Sequence, residues 1–410
     1  MSRLKSNRWK FYLSSFLGGW AFATGFLIFY YREIGFSYLQ IFAVAVLYEG
    51  LNFLLEIPTG VLADLWSRKW TITLGHTISG ASFLIVMLRP EAYWMYLLWS
   101  VLSAICTTLN SGTVTATVYD SLRAVGDEEQ FAKVQGHTFA INLVTQTISF
   151  ILGGLLADMY GFRLVLLLSG IGGLLQASVL ATLAEPPILY EEDKEESRAR
   201  DQGQAWWLQF TRQVVSSFSV MFTRASVRWV LTYGILGFIM YEFHRIVAQP
   251  YLGDLGYDSR LTISLFSAGF ALVTAITSVI TSQVKSSRTE TLLLILISMG
   301  MTLPLVVIGS IGGYVGIGAL FVGCVAMGAA GVVLPDVMNR LIPSDRRATI
   351  LSAQNQLGSI GYVITATALG ILMDRIGLAT SALIVGTIFA VLFAVLLVTK
   401  PRSNNSTQDD

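Results

Sequence analysis

The sequence predicts an all-α membrane protein whose twelve transmembrane helices form two pseudo-symmetric halves of six. Three observations lead there. Of 410 residues, 54% are hydrophobic and only 13% charged, at a mean hydropathy of +0.63, a balance foreign to water-soluble domains of this length. Apolar stretches of about 20 residues, the length that crosses a hydrocarbon core of about 30 Å, follow one another with short polar breaks. The third observation is a repeat: Gly154-Leu155-Leu156-Ala157-Asp158 returns as Gly370-Ile371-Leu372-Met373-Asp374, and Asp120 as Asp336, both displaced by 216 residues. Constant register over that distance is the trace of parallel half-repeats. A further copy, Gly60-Val61-Leu62-Ala63-Asp64, pairs helix two with helix five, as an inverted repeat nested in the first half would.

Runs bounded by charge, Gly and Pro place helices at 9–31, 38–64, 69–88, 92–120, 130–157 and 162–184, then at 227–250, 259–282, 290–309, 312–338, 346–373 and 377–399. The first half spans 1–184, a linker 185–226, the second half 227–400 and a disordered cytoplasmic tail 401–410. Arg3, Lys5, Arg8 and Lys10 precede the first run, which continues to Tyr31 with no small-residue cleavage site, so it reads as a retained helix. Arg32, Arg89, Arg163, Arg260 and Arg375 fall in loops on one side and Arg245 inside a helix, which leaves 21 of the 27 Lys and Arg on the other side. That side is expected to be cytoplasmic, with both termini, in a plasma or bacterial inner membrane. In the linker, Trp207, Phe210, Val214, Phe218 and Met221 recur every three or four residues, the pattern of an amphipathic helix lying on the membrane.

A net charge of +1 leaves no footprint for nucleic acid. No Ser and His stand with an orienting acid, and no Gly-Lys-Ser/Thr loop could cradle a phosphate, so neither an enzyme nor an ATP-driven machine is expected, and no cofactor. Cys106 and Cys324 sit in apolar stretches as packing residues, and three separated histidines make no metal pattern.

Gly60-Val61-Leu62-Ala63-Asp64-Leu65-Trp66-Ser67-Arg68-Lys69, between helices two and three, resembles the major facilitator superfamily motif Gly-x-Leu-Ala-Asp-x-x-Gly-Arg-Lys, with Ser67 where the motif has Gly. Helix count, half-repeat and long central loop extend the resemblance over the whole chain. The run from Glu56 to Asp64, with Tyr119-Asp120-Ser121-Leu122, is similar to bacterial members labelled as efflux proteins. The resemblance implies alternating access around a midplane site, with helices one, four, seven and ten lining the cavity. It also implies a gate of Gly60, Asp64, Arg68, Lys69 and Asp120: Asp64 by the N-terminus of helix eleven near Ser344 to Arg347, and Arg68 bridging to Asp120. Gly60, without a side chain, would let helix two approach its neighbour closely. A carboxylate at a helix N-terminus gains about 0.3 to 2 kcal/mol, enough to bias two conformations. The matching loop of the second half, Gln283 to Arg288, has no aspartate, so this latch is expected on one side only. Asp158 and Asp374, at outer helix ends, are expected to cap turns.

Ionisable groups at membrane depth must face protein or water. Glu49 and Glu56 stand two turns apart on one face of helix two, with Asn52 between them, and are the candidates for a coupling proton, with Asp336 behind them. A neutral acid bonded to a neighbouring helix accounts for Glu49 equally well. On helix seven, Glu242, Arg245 and Gln249 share a face at spacings of three and four; the first two can pair, and the resemblance places the stripe on the cavity. The first helix is aromatic and uncharged, with Trp20 and Tyr30 among the candidates for a wall against an amphipathic substrate, though lipid-facing aromatics account for most of it equally well.

These residues point to a secondary transporter whose partners are a small-molecule substrate, protons and the lipid bilayer. The leading expectation is proton-coupled export of small organic or amphipathic molecules. Drug antiporters of the superfamily often carry Gly-Pro before a Gly-Gly in helix five, where this chain has Ser149-Phe150-Ile151-Leu152-Gly153-Gly154. That departure keeps open uptake by proton symport or uniport. From a different class, a transporter-like sensor that binds a ligand without moving it is the further alternative.

Overall fold

The computed structural model describes residues 2–185, 225–283, 290–342 and 347–401. The expected linker helix, the 284–288 loop and the tail from 402 onward lie outside the described residues. The chain is helical throughout, with no strand among the described residues. In order, the helices are α1 (Ser2–Lys5), α2 (Asn7–Gly18), α3 (Leu27–Glu33), α4 (Tyr38–Leu65), α5 (Arg68–Leu88), α6 (Tyr93–Asn110), α7 (Thr113–Arg123), α8 (Phe131–Tyr160) and α9 (Phe162–Ala181). Then follow α10 (Ala225–Asp254), α11 (Arg260–Ser282), α12 (Glu290–Ser310), α13 (Gly313–Leu341), α14 (Arg347–Ile376) and α15 (Leu378–Val398). Among the described residues eleven segments, α6 and α7 counting as one, are long and apolar enough to cross a membrane, and the interrupted pair α2 and α3 makes the twelfth. Two compact units divide the chain: Met1–Phe210 with Gly256–Ala268, and Thr211–Leu255 with Gly269–Asp410.

Within each unit the same helix pairs form. In the first, α5 packs on α9 and α6, and α2 on α8 and α9; in the second, α12 packs on α15 and α13, and α10 on α14 and α15. Small residues allow these approaches. A Cβ on Gly80 of α5 would stand 2.9 Å from the Gly170 carbonyl of α9, and one on Gly309 of α12 would stand 2.5 Å from the Ala379 carbonyl of α15. With no hydrophobic drive between helices in lipid, such close contact is what holds a bundle.

The expected unbroken helix over 9–31 is corrected: it stops at Gly18 and resumes at Leu27. Gly18, Gly19 and Gly25 weaken the helix locally, at about 1 kcal/mol each, yet the decisive cause is tertiary. Phe22, Ala23 and Phe26 are buried, and α8 comes so close that a Cβ on Gly153 would lie 1.9 Å from the Phe22 carbonyl oxygen. Gly19 meets α8 in the same way, at Thr145 and the Asn142 carbonyl, and Asn142 Nδ2 donates to the Ser15 carbonyl at 3.1 Å. Irregular backbone at membrane depth survives only where protein surrounds it. The fourth span is also broken, at Gly112, whose φ of 69° is one that glycine adopts freely.

Candidate transport site and gate

At the end of the first unit that carries the N-terminus, Ser67 begins α5 as its N-cap: its hydroxyl accepts the Trp70 N–H at 3.3 Å. The one departure from the expected motif therefore starts a helix. Arg68, the next residue, donates to Asp120 of α7, joining the third and fourth spans. Lys69 lies over the Trp70 ring at 4.9 Å. Among the described residues a Cβ on Gly60 would meet nothing within 4 Å. The Asp64 side chain and residues 344–346 lie outside the described set. Asn7, which sequence reasoning missed, is fully buried at this end. Its amide donates to Ser121 Oγ at 3.1 Å and to the Ala184 carbonyl at 2.8 Å, and its carbonyl accepts the Ala184 N–H at 2.9 Å.

At the opposite end of the same unit Asp158 does more than finish α8. Its carboxylate accepts the backbone N–H groups of Arg260 (3.1 Å) and Leu261 (3.0 Å) and the Ser259 hydroxyl (2.7 Å), so it caps the start of α11. Arg260 in turn pairs with Glu33 at the end of α3 and donates to the Ala157 carbonyl at 3.2 Å. A carboxylate on an N-terminus and an arginine beyond it reproduce, at this end, the chemistry expected of Asp64. The signal was present in the sequence, since Asp158 closes a copy of the Gly60 to Asp64 pattern, but its partner lies 102 residues away.

Of the membrane-depth acids, Glu49 is partly exposed and Glu56 exposed on α4, while Asn52 Oδ1 between them is buried without a partner among the described residues. On α10, Arg245 Nη2 donates to Glu242 Oε2 at 2.7 Å and Nε at 3.1 Å. The Glu242 side chain is 12% exposed and that of Arg245 50%. At 1.5 Å per residue, Arg245 stands about 14 Å from the end of this helix, inside the hydrocarbon span. A guanidinium at that depth faces the bundle interior or a watered cavity rather than lipid. Gln249, on the same stripe, is buried in packing, and so is His244, whose Nε2 lies 3.5 Å from Cys324 Sγ.

Two expected site residues are repositioned. Tyr30 is buried and stacked on Phe162 with ring centroids 3.8 Å apart, so it packs the end of the unit opposite the N-terminus instead of walling a cavity. Asp336 is 68% exposed and paired with Arg340 at 2.9 Å, itself bonded to Glu290 at 2.8 Å. This is a charge held at a helix end, unlike a proton carrier at membrane depth. Trp20 stays in the interrupted segment, edge-on to Phe16 and Phe22 and close to Gly172.

Apolar spans that pair alike in two units, and an arginine and acid paired inside one of them, define a polytopic membrane transporter. The chain belongs to the Major Facilitator Superfamily, whose sequence model matches residues 11–366. It is 22% identical over 388 residues to the uncharacterized MFS-type transporter YxaM of Bacillus subtilis (strain 168), covering 92% of this chain and 90% of that one. Among solved structures it resembles a mutant of the nucleoside transporter NupG, with a TM-score of 0.74 at 14% identity over 96% of this chain and 98% of that one. The xylose transporter XylE from E. coli, in an inward-open conformation, gives a TM-score of 0.68 at 10% identity over 98% of each chain. At those identities the likeness is one of fold.

Proposed function

We propose that this transporter exports small organic or amphipathic molecules in exchange for protons, by alternating access between its two halves. The observation that carries the reading is Arg245, half exposed beside Glu242 within an apolar span, which supports a polar, watered substrate path along α10. Trp20, in the aromatic interrupted segment, supplies an apolar surface for an amphipathic cargo. Glu49 is the proton carrier in this scheme and Glu56 its second, because both lie on one face of a membrane helix, apart from the arginine. Asp64 with Arg68 and Asp120 closes the cytoplasmic side, where both termini lie. Ser149-Phe150, in place of Gly-Pro, favours as second reading uptake by symport or uniport.

Sealed proteoliposomes with an imposed proton gradient and a compound panel distinguish these readings by the sign of substrate movement; a sensor would bind without moving anything. Glu49→Gln is expected to abolish accumulation against a gradient and to preserve downhill exchange, because the alternating movement survives loss of the protonation step. Undiminished uphill accumulation by that variant would rule out Glu49.

A further inference from the structure

Where α1, α2 and α7 meet the start of α8, at the end of the first unit that carries the N-terminus, a cavity of about 200 Å³ remains. Its floor is apolar: Phe11 and Leu122 belong to the buried core at this end, and Val125 stands beside them. Its rim is charged, with Lys5, Arg8 and Asp127. Among the described residues Lys5 has no hydrogen-bond or ion-pair partner, and Arg8 uses its Nε on the Tyr12 hydroxyl at 3.2 Å, which leaves both terminal amines of the guanidinium to spare. The neighbouring cations are engaged elsewhere, Arg123 with Glu128 at 3.9 Å and Lys10 with the Thr182 carbonyl at 2.7 Å. Trp9, between Arg8 and Lys10, is 54% exposed, an aromatic of the kind that anchors at headgroup depth.

We infer that this cavity binds one anionic phospholipid by its phosphodiester. Lys5 and Arg8 take the phosphate oxygens, the apolar floor takes the glycerol and first methylenes, and Asp127 accepts a hydrogen bond from a headgroup hydroxyl. Two cations and one carboxylate leave the rim with a single positive charge. One phosphodiester neutralises it, whereas a zwitterionic lipid leaves it uncompensated. The carboxylate disfavours phosphatidylcholine, whose headgroup cannot donate, and the net positive charge of the rim disfavours phosphatidylethanolamine, so phosphatidylglycerol is the matching chemistry. Basic pockets among membrane helices hold anionic headgroups in this manner, and a free phosphate would leave the floor unfilled.

The test uses the full chain, purified in detergent, delipidated and offered equal amounts of phosphatidylglycerol, phosphatidylethanolamine and phosphatidylcholine, with glycerol phosphate in a separate arm and adducts counted by native mass spectrometry. The expected result is one retained phosphatidylglycerol, preferred roughly ten-fold over the other two, and no glycerol phosphate adduct. Lys5→Gln with Arg8→Gln, and separately the cavity-filling Val125→Phe, should each cut retention by about ten-fold, while Lys133→Gln, outside the cavity, should not. Equal retention of the three lipids, retention undiminished in both variants, or binding of glycerol phosphate overturns the assignment.

Discussion

Glu242→Ala is expected to lower the yield of folded protein more than Arg245→Ala, although the two residues form one ion pair. The asymmetry is chemical. A carboxylate deserted by its arginine can take up a proton and become neutral, but a deserted guanidinium cannot shed one. Breaking a fully buried pair costs about 3 to 5 kcal/mol when the remaining charge stays, and because half of the Arg245 side chain is exposed the cost here is a fraction of that. Only Glu242→Ala leaves such a charge inside the apolar span. Removing both partners should restore the yield while transport stays at least roughly ten-fold down, because the polar stripe has gone. Fluorescence-detected size exclusion of the three variants, with transport assayed on the folded fraction, checks this. Equal yields for the two single variants would show that the pair does not hold charge against the bilayer.

Gly153→Ala should be nearly as damaging from a single methyl group. The added Cβ would fall 1.9 Å from the Phe22 carbonyl oxygen, backbone against backbone, so no side chain can turn away to relieve it. Overpacking of this kind costs about 1 to 3 kcal/mol or more. It would also push the interrupted segment that holds Trp20 out of place. A lowered melting temperature with lost transport is expected. Gly136→Ala on the same helix is the control: a Cβ there meets nothing within 4 Å, and removing a glycine from a helix should stabilise by up to about 1 kcal/mol. Similar melting temperatures for the two variants would mean that α8 and the first span do not touch as described.

What was legible beforehand divides by the range of the interaction responsible. Apolar length located the spans, because bilayer thickness acts on each segment alone. The spacing of Glu242 and Arg245 put them within reach, and they bond within one helical turn. The meeting of Arg68 with Asp120 came from resemblance, since nothing local joins residues 52 apart. The break at Gly18 to Leu27 was hidden because an aromatic, apolar run reads as helix until its neighbours are known. For the same reason Tyr30 looked like an open wall, and only Phe162 shows otherwise. Asp158 was seen at a helix end, but the end that it caps belongs to α11.

The interrupted first span also bears on how the protein is made. Its irregular turns depend on α8 and α9, which are synthesised more than a hundred residues later, and bare backbone cannot wait in hydrocarbon for them. The span must therefore enter the bilayer in another form, as a continuous helix or still sheltered by the insertion machinery. It opens between Gly18 and Leu27 only when the later helices arrive, so the final shape of the chain's beginning is decided by its middle.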